Sequence, residues 1–468
     1  MAERLLFLTG HLAEARLRRL LAGLGATPFA WEVRNVGVKV AALMTEPILR
    51  RRLPRPLAAD RVILPGRAGL DEAALVAEFG VSFVRGPDEL ADLPAFLGFG
   101  AKPSDLSRHD IRIFAEIVDA PLLPPEAVVA RAAALRADGA DVIDLGCRPG
   151  VAFPHLEQTI RHLRAVGYRV SVDSGDPDEL RRGARAGADF VLSLTEATLD
   201  VVGDTATVPV LIPRVHGDLD SLLRAAALAA ERGITCLLDP VIDPIHAGFI
   251  ASLARYAQVR AALPEAEMLM GTGNLTELTD ADSSGVTAVL LGVCSELEIR
   301  NVLAVQVSPH TRRTIAEHDL ARRIMFAARA NGDLPRGYAS GLLQVHDRAP
   351  FTASEADLAE QAASVRDGNW RIAVTADGVH AFNNRRHETG TDALAFFPTL
   401  DVAQDGAHAF YLGTELMKAE TAWRLGKRYA QDAPLDWGCA VPVEPDAPRR
   451  VAEAGHTLRP KRPDRDDS

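Results

Sequence analysis

Between residues 110 and 307, strand-like apolar runs and helical patterns alternate in eight successive pairs, which constrains the fold more than any other feature. The candidate strands are 111–117 "IRIFAEI", 141–146 "DVIDLG", 168–173 "YRVSVD", 189–194 "DFVLSL", 208–213 "VPVLIP", 234–239 "ITCLLD", 266–271 "AEMLMG" and 301–307 "NVLAVQV". Eight such units in about 200 residues predict a (β/α)8 barrel rather than an open sheet. "GVTAVLLGVCSELEI" is apolar enough for a strand, but Val286, Leu290, Val293 and Leu297 recur at helical spacing and predict the helix before the last strand. A weak repeat agrees: "RADGADVIDLG" and "RAGADFVLSL" share a helix end, a Gly-Ala-Asp turn and a strand, two units apart.

The flanks follow other rules. Residues 1–105 alternate strand and helix at a spacing that predicts a small parallel α/β domain. Its "LPGRAG" turn, between a strand and a helix, reads as a plain turn or as a phosphate-binding one; the full dinucleotide fingerprint is absent. The barrel is expected over 106–335. Beyond it, 336–440 predict an α+β appendage, with "WRIAVTADGVHAFNN" a hairpin turning near Asp377-Gly378 and "ELMKAETAWRLGKRYAQD" an amphipathic helix. The Pro-, Arg- and Asp-rich stretch 441–468 reads as a disordered tail.

Composition removes several functions. A net charge of −11 opposes binding to nucleic acid or an anionic membrane. The four cysteines lie far apart, without a CxxC pair, so neither a disulfide framework nor a zinc or iron–sulfur site is signalled. The first residues lack a signal-peptide core and no apolar run reaches the roughly 20 residues of a membrane span, so the expected location is cytoplasmic. No lysine occurs between Lys102 and Lys418, which removes Schiff-base chemistry from the barrel.

In such a barrel the carboxyl ends of the strands form the mouth. Glu116 and Asp119 lie near the end of the first strand, Asp144 within the second, Asp173 at the end of the third, Asp239 at the end of the sixth and Asn274 just past the seventh. A single Asp at such a place can simply cap the next helix. A ring of carboxylates and amides suits a planar heterocycle with adjacent N–H donors, such as a pterin edge, or alternatively Mg2+ held near Glu116 and Asp119. Anions would fall to Arg148 in "GCRPG", Arg214 in "IPRVHG" or backbone N–H groups, and "SPHTRR" reads as a phosphate contact through Arg312 and Arg313 or as a solvated helix start.

"GADVIDLGCRPG", "VSVDSGDPDELRRGARAGAD" and "LLDP" resemble the second, third and sixth strand motifs of dihydropteroate synthase. With "MGTGNLTELTDADSSGVTAVLLGV" and the three-part layout, the chain resembles more closely the dihydropteroate synthase-related, pterin-binding proteins of tetrahydromethanopterin-using methanogens and methylotrophs. The resemblance implies that Asp144, Asp173, Ser193, Asp239 and Asn274 bind a reduced pterin and that Arg148 handles a diphosphate and an arylamine. It departs from the synthase in three places: "GTGNLT" replaces the seventh-strand lysine, "AVQVSPH" lacks the last-strand Arg, and Leu192 stands where an Asn contacts the pterin, with Ser193 the nearest polar group.

Three functions follow from this resemblance. The first is condensation of a 6-hydroxymethyl-dihydropterin diphosphate with an arylamine, Arg148 and possible Mg2+ stabilising the leaving group. The second is one-carbon transfer from a reduced pterin, with Asn274 at N5; the third is pterin binding without catalysis. A homo-oligomer is compatible with the resemblance. Among other residues, Cys147 reads as a packed small side chain or a reactive thiol, Glu277, Asp280 and Asp282 as caps or ligands, and His380 and His387 as surface groups.

Overall fold

The computed structural model describes residues 2–88, 90–99 and 105–442. The expected tail therefore lies outside the described residues from 443 onward. The chain forms two compact units. One contains 105–344 with 437–442, and the other joins 1–104 to 345–436, so that the two flanking segments share one unit.

In the joint unit, β1 (Glu3–Thr9), β2 (Phe29–Asn35), β3 (Arg61–Leu64) and β4 (Ser82–Arg85) make a parallel sheet in the order β2-β1-β3-β4. Period-two alternation buries both faces. Leu5, Phe7 and Val33 meet Leu17 and Leu21 of helix 11–23, whereas Leu6, Leu8 and Val62 meet Leu75 of helix 72–79.

The second unit is the barrel. Its strands are β5 (Arg112–Ile117), β6 (Val142–Gly146), β7 (Arg169–Asp173), β8 (Phe190–Leu194), β9 (Val208–Leu211), β10 (Leu237–Leu238), β11 (Leu269–Gly271) and β12 (Asn301–Ala304). They run parallel in the order β10-β9-β8-β7-β6-β5-β12-β11, and a bridge between Leu238 and Met268 closes the ring. Ile113, Ala115, Ile143, Leu145, Val170 and Val172 point outward into the helix layer. Phe114, Val142, Phe190, Leu192, Val210 and Leu237 fill the inside, with the Phe114 and Phe190 rings 4.8 Å apart. Arg112 and Arg169, at the strand starts, stack over Phe190, so the barrel is plugged at its N-terminal end. What remains open is the mouth.

Gly139 and Gly187, the repeat glycines, both take the left-handed conformation that ends a helix (φ 110° and 95°). Residues 283–296 form the helix expected there. After the barrel, β13 (Arg371–Thr375) and β14 (Gly378–Phe382) form the hairpin, with β15 (His387–Gly390) as a third antiparallel strand. Helix 406–425 packs Leu412, Leu416 and Ala419 against this sheet.

Candidate active site

Inner-face residues along three adjacent strands become acidic toward the mouth. β5 presents Phe114 then Glu116, β6 presents Val142 then Asp144, and β7 presents Ser171 then Asp173, with Glu116 level with Asp144 and Asp144 level with Ser171. Asp144 is fully buried and accepts from Ser171 Oγ at 2.5 Å, while its Oδ2 has no partner among the described residues. Burial, with the nearby charges of Asp173 and Glu116, pushes its acid strength well out of the carboxylate range, toward the neutral form. Glu116 rises to about 7 through burial and the Asp173 charge.

Asp173 and Asp239 are part-exposed at the rim, and each is held by neutral donors. Ser193 Oγ donates to Asp173 Oδ1 at 2.8 Å. Tyr256 Oη at 2.6 Å and Val241 N–H at 2.8 Å donate to Asp239 Oδ1. Neither carboxylate has a cation within ion-pair distance among the described residues. Burial raises both, Asp239 to about 6 despite its hydrogen bonds from Tyr256 and Val241.

The rim carries backbone strain. Ser193 has φ 73°, in a register break between Val191 and Leu194 of β8. Alternation alone would turn Ser193 outward, since Leu192 lies in the barrel interior; the bulge instead aims it at Asp173. Val241, β-branched and at φ 62°, is a rarer departure, and it delivers the N–H that holds Asp239. Arg255 fastens this turn by donating to the carbonyls of Pro240 (3.1 Å) and Val241 (2.7 Å) and to Asp243 Oδ2 (2.9 Å). Tyr256, Arg255 and Ser171 carry no sequence signal of a role, because each acts through a partner far along the chain.

Asn274 is exposed just past β11, and its Nδ2 donates to Ile242 O at 2.8 Å, so the amide orientation is set by the Asp239 turn. Arg148 and Arg312 stand exposed on the loops after β6 and β12, and Arg214 lies exposed 3.7 Å from Glu196. Arg313 is instead paired with Asp138 at 2.8 Å. Asp119 is engaged by Arg131, and among the described residues no three His, Cys, Asp or Glu side chains converge to hold a metal.

Glu277 accepts from the N–H groups of Val307 and Ser308 and from Thr311 Oγ1, which fastens the loop after β12. Asp280 and Asp282 stand exposed. Burial and the Glu179 charge push the Cys147 thiol upward, against activation. The surface reading of His380 is corrected: it is fully buried, bonded to Thr375 at 2.8 Å and to His387 at 3.2 Å, because the third strand β15 covers it. His387 is exposed. The "LPGRAG" turn, with Leu70 after it, directs the carbonyls of Gly66, Ala68 and Leu70 at the Arg85 guanidinium, which braces the turn.

Residues 3–88 match a family model described as a family of unknown function (DUF6513). An uncharacterized protein of Methanocaldococcus jannaschii is 28% identical over 376 residues, 70% of each chain. Among solved structures, the dihydropteroate synthase of Yersinia pestis is 18% identical, covering 48% of this chain and 95% of its own with a TM-score of 0.36. That of Burkholderia cenocepacia, complexed with 7,8-dihydropteroate, is 18% identical over 48% and 93% (TM-score 0.37). That of Xanthomonas albilineans is 22% identical over 49% and 95% (TM-score 0.36). The barrel assignment rests on the strand order itself.

Proposed function

We propose that the barrel binds a reduced pterin at its mouth and acts on it as a transferase, condensing a 6-hydroxymethyl-dihydropterin diphosphate with an arylamine. One observation carries this reading: Asp173 and Asp239 are fixed at the rim by neutral donors, and among the described residues neither forms an ion pair, Arg255 acting on Asp239 only through space. Such carboxylates are best satisfied by a ligand with adjacent N–H donors, and the 2-amino/N3 edge of a pterin is one. The strand-motif resemblance supports the same ligand.

In the proposed reaction the arylamine nitrogen attacks the methylene carbon as the carbon–oxygen bond to the diphosphate breaks. The diphosphate leaves with the electron pair, and the amine proton passes to water. Arg148, exposed on the loop after β6, supplies positive charge to the leaving group. Glu116 and Asp119 would hold Mg2+ only with the Arg131–Asp119 pair opened, and bound there the ion would neutralise the leaving diphosphate; no step is routed through it. A second reading, one-carbon transfer, draws on Asn274: Ile242 takes its N–H, which leaves Oδ1 as an acceptor for a pterin N5–H.

A fluorescence titration with 6-hydroxymethyl-dihydropterin tests the pocket, and an assay of diphosphate release with an arylamine tests the reaction. Saturable binding that collapses in Asp173→Asn and Asp239→Asn, together with release, is the expected result. Binding without release would replace condensation by one-carbon transfer or binding alone. Absence of binding in the unmodified protein would overturn the pterin reading.

A further inference from the structure

We infer that the joint unit holds a second ligand site, for a small organic anion with an apolar body, independent of the barrel reading. A cavity of about 430 Å³ lies at the carboxyl edge of the parallel sheet. Its floor includes Thr9 at the end of β1 and Leu64 at the end of β3; Leu358, Ile372 and Val374 of the C-terminal segment form the facing wall. The volume falls within the range of pockets that enclose whole small molecules.

The place is set by topology. In the order β2-β1-β3-β4, the chain leaves β1 toward one side and β3 toward the other. Helix 11–23 accordingly packs on one sheet face and helix 72–79 on the opposite face. Diverging connections leave a crevice beyond the carboxyl ends of β1 and β3, the position at which open parallel sheets bind ligands. Glycines keep the loops flat there. A Cβ on Gly10 would stand 2.9 Å from Val38 O, and one on Gly66 2.5 Å from the Pro87 carbonyl carbon.

The ligand's charge follows from Arg16, on the second turn of helix 11–23 and in the cavity lining. Among the described residues its one hydrogen bond goes to the Thr352 carbonyl at 3.2 Å, and no carboxylate lies within ion-pair distance. Arg371, also in the lining, is by contrast paired with Asp367. A guanidinium has five N–H donors, so Arg16 retains capacity for a carboxylate, sulfonate or phosphate ester. The helix N-terminus is not the seat of the anion, because Val38 and Lys39 carbonyls already accept from His11 and Leu12 N–H at 2.9 and 3.2 Å.

The test uses the full chain and two probes of similar body, anionic 8-anilinonaphthalene-1-sulfonate and neutral N-phenyl-1-naphthylamine, followed by fluorescence. The sulfonate is expected to bind at one equivalent, about tenfold more weakly in Arg16→Gln and with affinity recovered in Arg16→Lys. The neutral probe should be indifferent to Arg16→Gln, which also shows that the variant is folded. Ala13→Phe, which fills the cavity, should exclude both probes, and Asp173→Asn in the barrel should affect neither. No saturable binding, sulfonate affinity unchanged from the unmodified protein in either Arg16→Gln or Ala13→Phe, or loss in Asp173→Asn would each overturn the site.

Discussion

Glu116 lies directly over Gly146: a Cβ on Gly146 would come within 2.4 Å of Glu116 Oε1. A glycine at the end of β6 thus makes room for a carboxyl side chain from β5, and the acidic cluster depends on a missing methyl group. Gly146→Ala should displace the Glu116 carboxyl and press on Val118 Cα, 3.2 Å from the added Cβ, destabilising the barrel by about 1 kcal/mol. Glu116→Ala in the same chain should recover most of that loss, and a double-mutant cycle by urea unfolding measures the coupling.

Glu116 ionises near pH 7 in the folded chain, against 4.5 for a free side chain. Between those values the folded protein keeps a proton that the unfolded chain has released. This group's contribution to stability therefore falls as pH rises from about 4.5 to about 7 and is level above. Glu116→Gln removes that slope. The variant should match the unmodified protein near pH 4.5 and exceed it by about 3 kcal/mol at pH 8. Unfolding at the two pH values decides; a variant weaker at pH 8 would refute the assignment.

Asp239 accepts two adjacent ligand N–H groups, one on each oxygen, only when ionised, so pterin affinity should weaken as pH falls through about 6. Tyr256 donates to this carboxylate and holds it below the value that burial alone would impose. In Tyr256→Phe the midpoint of the affinity profile should move from about pH 6 to about pH 7. A simple loss of affinity at all pH values would instead assign Tyr256 a packing role.

Arg322 is 2% exposed and ties the barrel helix 314–331 to the starts of β5 and β6. It donates to Ile111 O, Gly139 O and Asp319, and pairs with Asp141. Arg322→Met leaves the Ile111 and Gly139 carbonyls without this donor, and leaves Asp319 with Arg323 alone and Asp141 with the Ile113 N–H in a half-buried setting. A loss of about 3 kcal/mol or more in unfolding free energy is expected. Arg329→Met, at a more exposed pair with Asp110, should cost under about 1 kcal/mol.

Strand and helix order was legible because it is written in local periods. Val170 and Val172 alternate with Ser171 and Asp173, and a period of two assigns the valines to the helix layer and the polar pair to the interior. Strand length was less legible. The run 234–239 is strand only at Leu237–Leu238, with the Asp239 N–H still reaching Leu211 O at 2.8 Å. Depth was not legible at all: Asp144 and Asp173 look alike in sequence, yet one is sealed beneath the mouth and the other stands at its rim.

The sequence by itself determined the barrel, the direction of its strands and the presence of carboxylates near their carboxyl ends, because side-chain alternation and turn chemistry act between near neighbours. Only the tertiary structure decided which of those carboxylates share a field, which are desolvated and which remain open to a ligand. Those properties depend on distances between residues far apart in the chain. Glu116 titrates near 7 because Asp173 and a closed barrel surround it, and Ser193 reaches Asp173 because β8 breaks register there.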